Sequence, residues 1–141
     1  MRSRPVLLAA GGTGGHLFPA VALGEELRRR GHEVALATDS RAEKYGKTFP
    51  AEAIHRIPSA TLKSRAPLAV AATFARLGLG YADALWLMTR LRPRAVIGFG
   101  GYPTLPPIIA ARTLGVPTAI HEQNAVMGRA NRLLSRVADR I

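Results

Sequence analysis

Cysteine is absent from this 141-residue chain, which excludes disulfide staples, thiolate metal ligands and a cysteine nucleophile. Aromatic residues make up only 6%, too few for the stacking platforms of a single-stranded nucleic-acid binder. With no recognisable nucleic-acid module either, nucleic-acid recognition is not expected. Acidic residues are also scarce: nine Asp and Glu stand against twenty Lys and Arg, a formal charge of +11. That balance favours anionic partners such as phosphates or an acidic lipid surface. No Asp-x-Asp pair occurs, and His16, His121 and Glu122 lack the tight spacing of metal ligands, so neither a metal nor another cofactor is predicted.

What is present is globular in composition, with 48% hydrophobic and 21% charged residues, in a length that suits one domain. The basic start Met1-Arg2-Ser3-Arg4 is like the head of a signal peptide. The apolar stretch behind it is broken by glycines and has no cleavage region, so a cytoplasmic start is expected. Apolar runs at residues 6–10, 33–38, 52–57, 95–98 and 118–121 read as strands. Between them, residues 19–30, with Gly31 as terminator, and residues 41–48 read as helices, and residues 131–138 read as a helix after the last run. Strands alternating with helices predict an α/β fold, a Rossmann-like doubly wound parallel sheet with ligands at the carboxyl ends of strands. Asp139-Arg140-Ile141 reads as the entry to a further strand, which implies a fragment or half-protein, one domain over residues 1–141.

Residues 59–67 read as a mobile loop carrying Lys63 and Arg65. Residues 68–91 are apolar and long enough to span a membrane. However, Arg76, Asp83 and Arg90 recur at sevens along one stripe, with Phe74, Tyr81, Leu85 and Met88 opposite, so an amphipathic helix packed on the core, or one that also touches a membrane surface, is expected rather than a span.

Three short motifs carry the chemistry. Gly11-Gly12-Thr13-Gly14-Gly15-His16 follows the first strand and leads into a helix, where backbone N–H groups and the helix dipole can meet a phosphate. Counting from Gly12, the dinucleotide fingerprint G-x-G-x-x-G fails at Leu17, although Asp39 after the second strand keeps that reading open. Gly98-Phe99-Gly100-Gly101-Tyr102-Pro103 repeats the arrangement after the fourth strand, and the two loops can grip a diphosphate or be unrelated turns. His121-Glu122-Gln123-Asn124 ends the fifth strand, either facing the same crevice or capping the next helix. Beside Gly15, His16 can serve as a general base near neutral pH or as a structural histidine. Gly46-Lys47-Thr48 imitates the end of a P-loop, but Arg41 stands at its first glycine and no strand directly precedes it.

Together the three motifs resemble the amino-terminal domain of the bacterial GT-B N-acetylglucosaminyltransferases that complete the lipid-linked peptidoglycan precursor. The resemblance covers nearly the whole chain. It implies the amino-terminal half of a two-domain GT-B enzyme that transfers N-acetylglucosamine, with inversion, from UDP-N-acetylglucosamine. The acceptor is the 4-hydroxyl of undecaprenyl-diphospho-N-acetylmuramyl-pentapeptide. By that likeness Gly14, Gly15, His16, Gly100, Gly101 and Tyr102 hold the acceptor diphosphate, and His16 is the base. Thr13, Gly14, Gly15 and Asn124 line the donor side, and Glu122 orients the region.

The resemblance further implies peripheral attachment to an anionic membrane on its cytoplasmic face. The patch lies around Leu77, Leu79, Tyr81 and Trp86 with Arg76 and the Lys63-Arg65 loop as basic neighbours; Gly78 and several alanines occupy places where the family carries bulkier residues. The family's carboxyl-terminal domain, with most uridine and ribose contacts, lies beyond Ile141, so the chain alone is expected to be inactive. Two alternatives stand beside this reading. One is a non-catalytic, membrane-docked half of a two-chain glycosyltransferase, as in relatives that make dolichol-linked sugars. The other is a dinucleotide-binding oxidoreductase domain.

Overall fold

Strands with apolar residues on both faces need cover on both sides, and the two most apolar runs occupy the middle of the sheet. The computed structural model describes residues 4–42 and 48–141. Among them, five strands, β1 (Val6–Ala9), β2 (Val34–Thr38), β3 (Ala53–Arg56), β4 (Ala95–Gly98) and β5 (Thr118–Ile120), form one sheet. The order is β3-β2-β1-β4-β5 and every pairing is parallel. β1 and β2 are buried throughout, whereas the edge strand β3 alternates half-buried and exposed residues. Strand bounds fall within one residue of those expected.

Four α-helices among the described residues complete the layers: α1 (Gly14–Arg29), α2 (Pro67–Leu91), α3 (Leu105–Thr113) and α4 (Arg129–Leu134). Side chains alternate across each strand. Val6 and Leu8 therefore join Leu17 and Ala20 of α1 on one face. Leu7 and Ala9 join Leu87 and Met88 of α2, Ile108 of α3 and Leu134 of α4 on the other. The chain runs outward from β1 through β2 to β3, then returns to β1's other side with β4. Between β1 and β4 lies the topological switch point, the place at the carboxyl ends of the strands where ligands of such sheets bind.

Several elements depart from expectation, each for a physical reason. α1 begins at Gly14 with Thr13 as its N-cap, so Pro19 lies inside it. Glycine's poor helix propensity and proline's fit to a first turn both point to a later start. The register of Leu17 and Ala20 against the sheet overrides them. The helix ends as expected: Gly31 takes a φ of +80°, and the Gly31 and His32 N–H groups bond to the Arg28 and Leu27 carbonyls. α3 is hidden from spacing arguments by Pro106 and Pro107, which sit in its first turn where a missing N–H breaks no helical bond. The expected helix over residues 131–138 is shorter and earlier, at α4, and an Ala119–Arg140 parallel bridge follows it beside β5. Of the expected helix over residues 41–48, Ser40–Ala42 is a 3-10 turn. Residues 43–47, and with them most of the P-loop look-alike, lie outside the described residues.

α2 is amphipathic only in its second half. Its buried residues, Gly80, Ala84, Leu87 and Met88, all lie at or beyond residue 80. At 1.5 Å per residue, the 25 residues of α2 extend roughly 37 Å, against roughly 13 Å for its neighbour α3 of nine. The amino half therefore has little to pack on. Met88 is buried and Leu85 and Tyr81 pack on the core as expected, but Phe74 does not: it is 66% exposed. Tyr81, placed in the membrane patch by resemblance, instead faces α3, its hydroxyl 2.9 Å from Thr113 Oγ1.

Gly80 is where α2 crosses the chain that follows β3. A Cβ there would overlap the Pro58 carbonyl oxygen and crowd Pro106, whereas one at Gly78 meets open space. Gly80→Ala is therefore expected to lower stability by about 1–3 kcal/mol, since backbone cannot yield as a side chain can. Gly78→Ala is expected to be neutral or stabilising through helix propensity. Urea midpoints of the two variants check the pair; equal effects contradict the close approach.

Candidate functional site

The loops after β1 and β4 meet at the switch point. The Gly11 N–H donates to the Gly100 carbonyl at 3.2 Å, and the His16 imidazole lies in the angle between them. Cβ atoms added at Gly11, Gly100 or Gly101 would come within 3.0–3.2 Å of that ring. Gly100 and Gly101 also hold φ values of +100° and +82°, which side chains rarely adopt. The glycines therefore seat the imidazole. His16 Nδ1 is 2.9 Å from Thr13 Oγ1, so the N-cap of α1 orients the ring. Burial lowers the His16 pKa below 6.5; the Glu122 charge raises it and the Arg41 charge lowers it, and the net shift is downward. The ring is therefore mainly neutral at pH 7, the form in which it can accept a proton.

A cavity of about 270 Å³ opens beside the ring. Its lining brings together His16, Gly100, Gly101, Tyr102, Glu122 and Asn124, all expected from sequence. Thr13, Gly14 and Gly15 are not in that lining; they form the N-cap and first turn of α1, whose N–H groups have no partner within the helix. The dipole of α1 points its positive end there.

Glu122 organises the far wall. One carboxylate oxygen accepts from the backbone and side-chain nitrogens of Asn124 at 2.9 and 2.8 Å. The other accepts from the Gly128 N–H and Asn131 Nδ2, each at 3.0 Å. Partial burial alone raises its pKa, but the bonds from Asn124, Gly128 and Asn131 outweigh it and bring the value down to about 2. Glu122 thus binds the Gly128 N–H just ahead of α4 and also lines the crevice.

Asn131 is the residue that sequence reasoning missed. It is 2% exposed, lines the same cavity, and donates through Nδ2 to the His121 carbonyl and to Glu122. Its Oδ1 has no hydrogen-bond partner. A buried, unpaired acceptor costs about 1–3 kcal/mol. The only signal in the sequence was an amide at the start of an apolar helix pattern, which usually means a cap. Asp39, which the dinucleotide reading needs for a ribose, is committed to Arg41: Oδ1 accepts the Arg41 N–H at 3.1 Å and Oδ2 its Nε at 2.7 Å. Among the described residues no group of three His, Asp or Glu side chains converges as for a metal.

Comparison with known proteins adds to this geometry. The glycosyltransferase family 28 N-terminal domain matches residues 6–141. The chain belongs to this family. The family 28 domain is 64% identical over 130 residues to a protein of Allorhizobium ampelinum, across 92% of this chain and 35% of the relative. That relative is named UDP-N-acetylglucosamine--N-acetylmuramyl-(pentapeptide) pyrophosphoryl-undecaprenol N-acetylglucosamine transferase. A Rhodopseudomonas palustris protein of the same name is 64% identical over 131 residues, across 93% of this chain and 36% of the relative. The family 28 domain thus spans about a third of the length of these curated relatives. Acinetobacter baumannii MurG superposes with a TM-score of 0.83 at 35% identity, over 97% of this chain and 40% of that one. The Streptomyces glycosyltransferase SsfS6, at 22% identity and a TM-score of 0.67 over 91% of this chain and 41% of that one, shares the fold. The amino-terminal Rossmann-like domain of a GT-B glycosyltransferase, expected from the motifs, is the fold observed.

Because the Glu122 charge raises the His16 pKa, Glu122→Gln is expected to lower it further below 6.5. Arg41→Ala is expected to raise it. NMR titration of the His16 ring protons reads both signs, and an unchanged His16 pKa in Glu122→Gln contradicts the coupling.

Proposed function

We propose that this chain is the acceptor-side domain of an inverting N-acetylglucosaminyltransferase of peptidoglycan synthesis. It works with a carboxyl-terminal domain that carries most of the donor nucleotide. The observation that carries the reading is the seating of the His16 imidazole where two glycine loops meet at the switch point, in a domain 64% identical to a relative bearing that activity in its name. In this scheme the acceptor diphosphate lies against the backbone of Gly14, Gly15, Gly100 and Gly101, beside Tyr102, and its muramyl 4-hydroxyl faces His16. Nδ1–H donates to Thr13 Oγ1, leaving the Nε2 lone pair to take the hydroxyl proton. The oxygen attacks the anomeric carbon of N-acetylglucosamine as the carbon–oxygen bond to UDP breaks. The electron pair departs with the diphosphate and the configuration inverts. The positive end of α1 offsets charge near the reacting groups.

Asn124 stands on the donor side, held by Glu122. Asn131 Oδ1 supplies an acceptor for a substrate hydroxyl or amide. Glu122 holds both amides in place, so it is a positioning residue.

We also propose that α2 docks on an anionic membrane surface on the cytoplasmic face. Leu68, Leu79 and Trp86 are 84%, 63% and 61% exposed, and spacings of 11 and 7 place them in one outward row. The Arg90 guanidinium lies over the Trp86 ring at 5.0 Å. The helix is long and apolar enough to cross a membrane by length and composition, but its carboxyl half belongs to the core, which supports a surface position. Leu77, half-buried, adds less.

Two measurements test these readings. Titration with a soluble diphospho-muramyl acceptor analogue is expected to shift the amides of Gly14, Gly15, Gly100 and Gly101. NAD, as control, is expected to leave them in place, and the chain alone is expected to show negligible transfer. Shifts with NAD only, or robust transfer by the chain alone, contradict the acceptor-domain reading. For docking, Leu79→Ser with Trp86→Ser is expected to weaken co-flotation with anionic vesicles about tenfold or more, at ~1.5–3 kcal/mol for each apolar side chain that would be buried. Unchanged flotation contradicts the outward row as the contact.

A further inference from the structure

A second cavity, of about 580 Å³, opens at the carboxyl ends of β2 and β3. Four cations line it, Arg41, Arg56, Lys63 and Arg76, against two carboxylates, Asp39 and Asp83. Asp39 is engaged by Arg41 at 2.7 Å. Lys63 and Arg76 form no ion pair with any described residue. A concave surface with uncompensated cations holds a positive potential that selects an anion.

The place of this cavity in the fold narrows the choice of anion. β2 neighbours β1 and β3 lies one strand further, so about 5–10 Å separates the cavity's strand ends from the β1 loop that carries His16. Arg41, in the cavity lining, also lies near enough to His16 for its charge to act on the ring. A chain of five residues spans at most about 16–18 Å when extended, enough to run from a sugar at His16 into the cavity. The lining also contains the hydroxyl residues Ser40, Ser59 and Thr61. Mixed charges and hydroxyls suit a peptide, with its N–H groups and carboxylates. Leu68, Leu79 and Trp86 of the outward row are not in the lining, so the cavity is not a continuation of the membrane-facing row.

We infer that this cavity receives the carboxylate-bearing peptide of the acceptor, with Lys63 and Arg76 as its pairing cations. The inference rests on the acceptor reading of the His16 site. It gives this domain a means of telling an acceptor with a peptide from one without.

Calorimetric titration of the chain with two ligands tests it: a short-chain prenyl-diphospho-muramyl-pentapeptide and the same molecule without its peptide. The wild-type chain is expected to bind the first about tenfold tighter, through charge-assisted hydrogen bonds. Lys63→Ala with Arg76→Ala is expected to erase that preference while leaving the peptide-free ligand's affinity unchanged. Both side chains are exposed, and amide spectra verify that the variant is folded. Equal affinities in the wild type, or a preference that survives in the variant, overturn the inference while the diphosphate reading stands. If neither ligand binds the wild type, the acceptor reading itself fails and the inference with it. A variant that keeps the peptide preference but loses binding to phosphatidylglycerol vesicles overturns the inference in favour of a lipid headgroup site.

Discussion

The contact of one imidazole with three glycines holds this domain's site together. His16 belongs to α1, whereas Gly100 and Gly101 belong to the loop after β4, more than eighty residues away. Their meeting requires that β1 and β4 be neighbours and that no side chain stand between the loops. The Gly11–Gly100 hydrogen bond closes the same gap through the backbone. Glycine is required at 100 and 101 twice over, by positive φ and by the ring. A larger residue would strain the turn and displace the proposed base together.

Around that contact the electrostatics are arranged in opposition. Burial and Arg41 keep His16 neutral, and Glu122 partly counters them. Glu122 stays ionised because four N–H donors surround it, three of them on residues whose positions it in turn determines. The cost of an anion in the wall is offset locally, and the same bonds order the segment between β5 and α4. Asn131 gives one of those bonds and keeps a buried oxygen unsatisfied, an arrangement that packing alone does not favour.

α2 shows how a single helix can serve two surroundings. Beyond Gly80 it is a core helix; before Gly80 its length exceeds anything available to cover it. Leu68, Phe74 and Leu79 therefore remain exposed to solvent, whereas Trp86, beyond Gly80, is exposed because it lies on the helix face away from the core. Burial of Met88 and exposure of Phe74 follow from one fact: α3 is too short to reach both.

Much of the fold was legible in the amino-acid sequence because its signals are local. Short apolar runs identify strands, Gly31 stops a helix, and alternation of the two implies a parallel sheet. The three motifs were legible as well, being glycines, a histidine and a carboxylate at strand ends, where ligands of such folds gather. Local signals misled where neighbours decide the outcome: glycines and Pro19 concealed the true start of α1, and two prolines concealed α3. Whether Phe74 and Tyr81 face core or solvent depended on the length of a different helix. Asn131 was illegible because an amide in a helix carries no mark of what it will touch. Composition and pattern thus determined that this chain is a basic α/β domain with phosphate-suited loops. Which strand lies beside β1, and so which residues surround His16, was decided only by tertiary structure, because such contacts depend on pairings across the chain that no local spacing encodes.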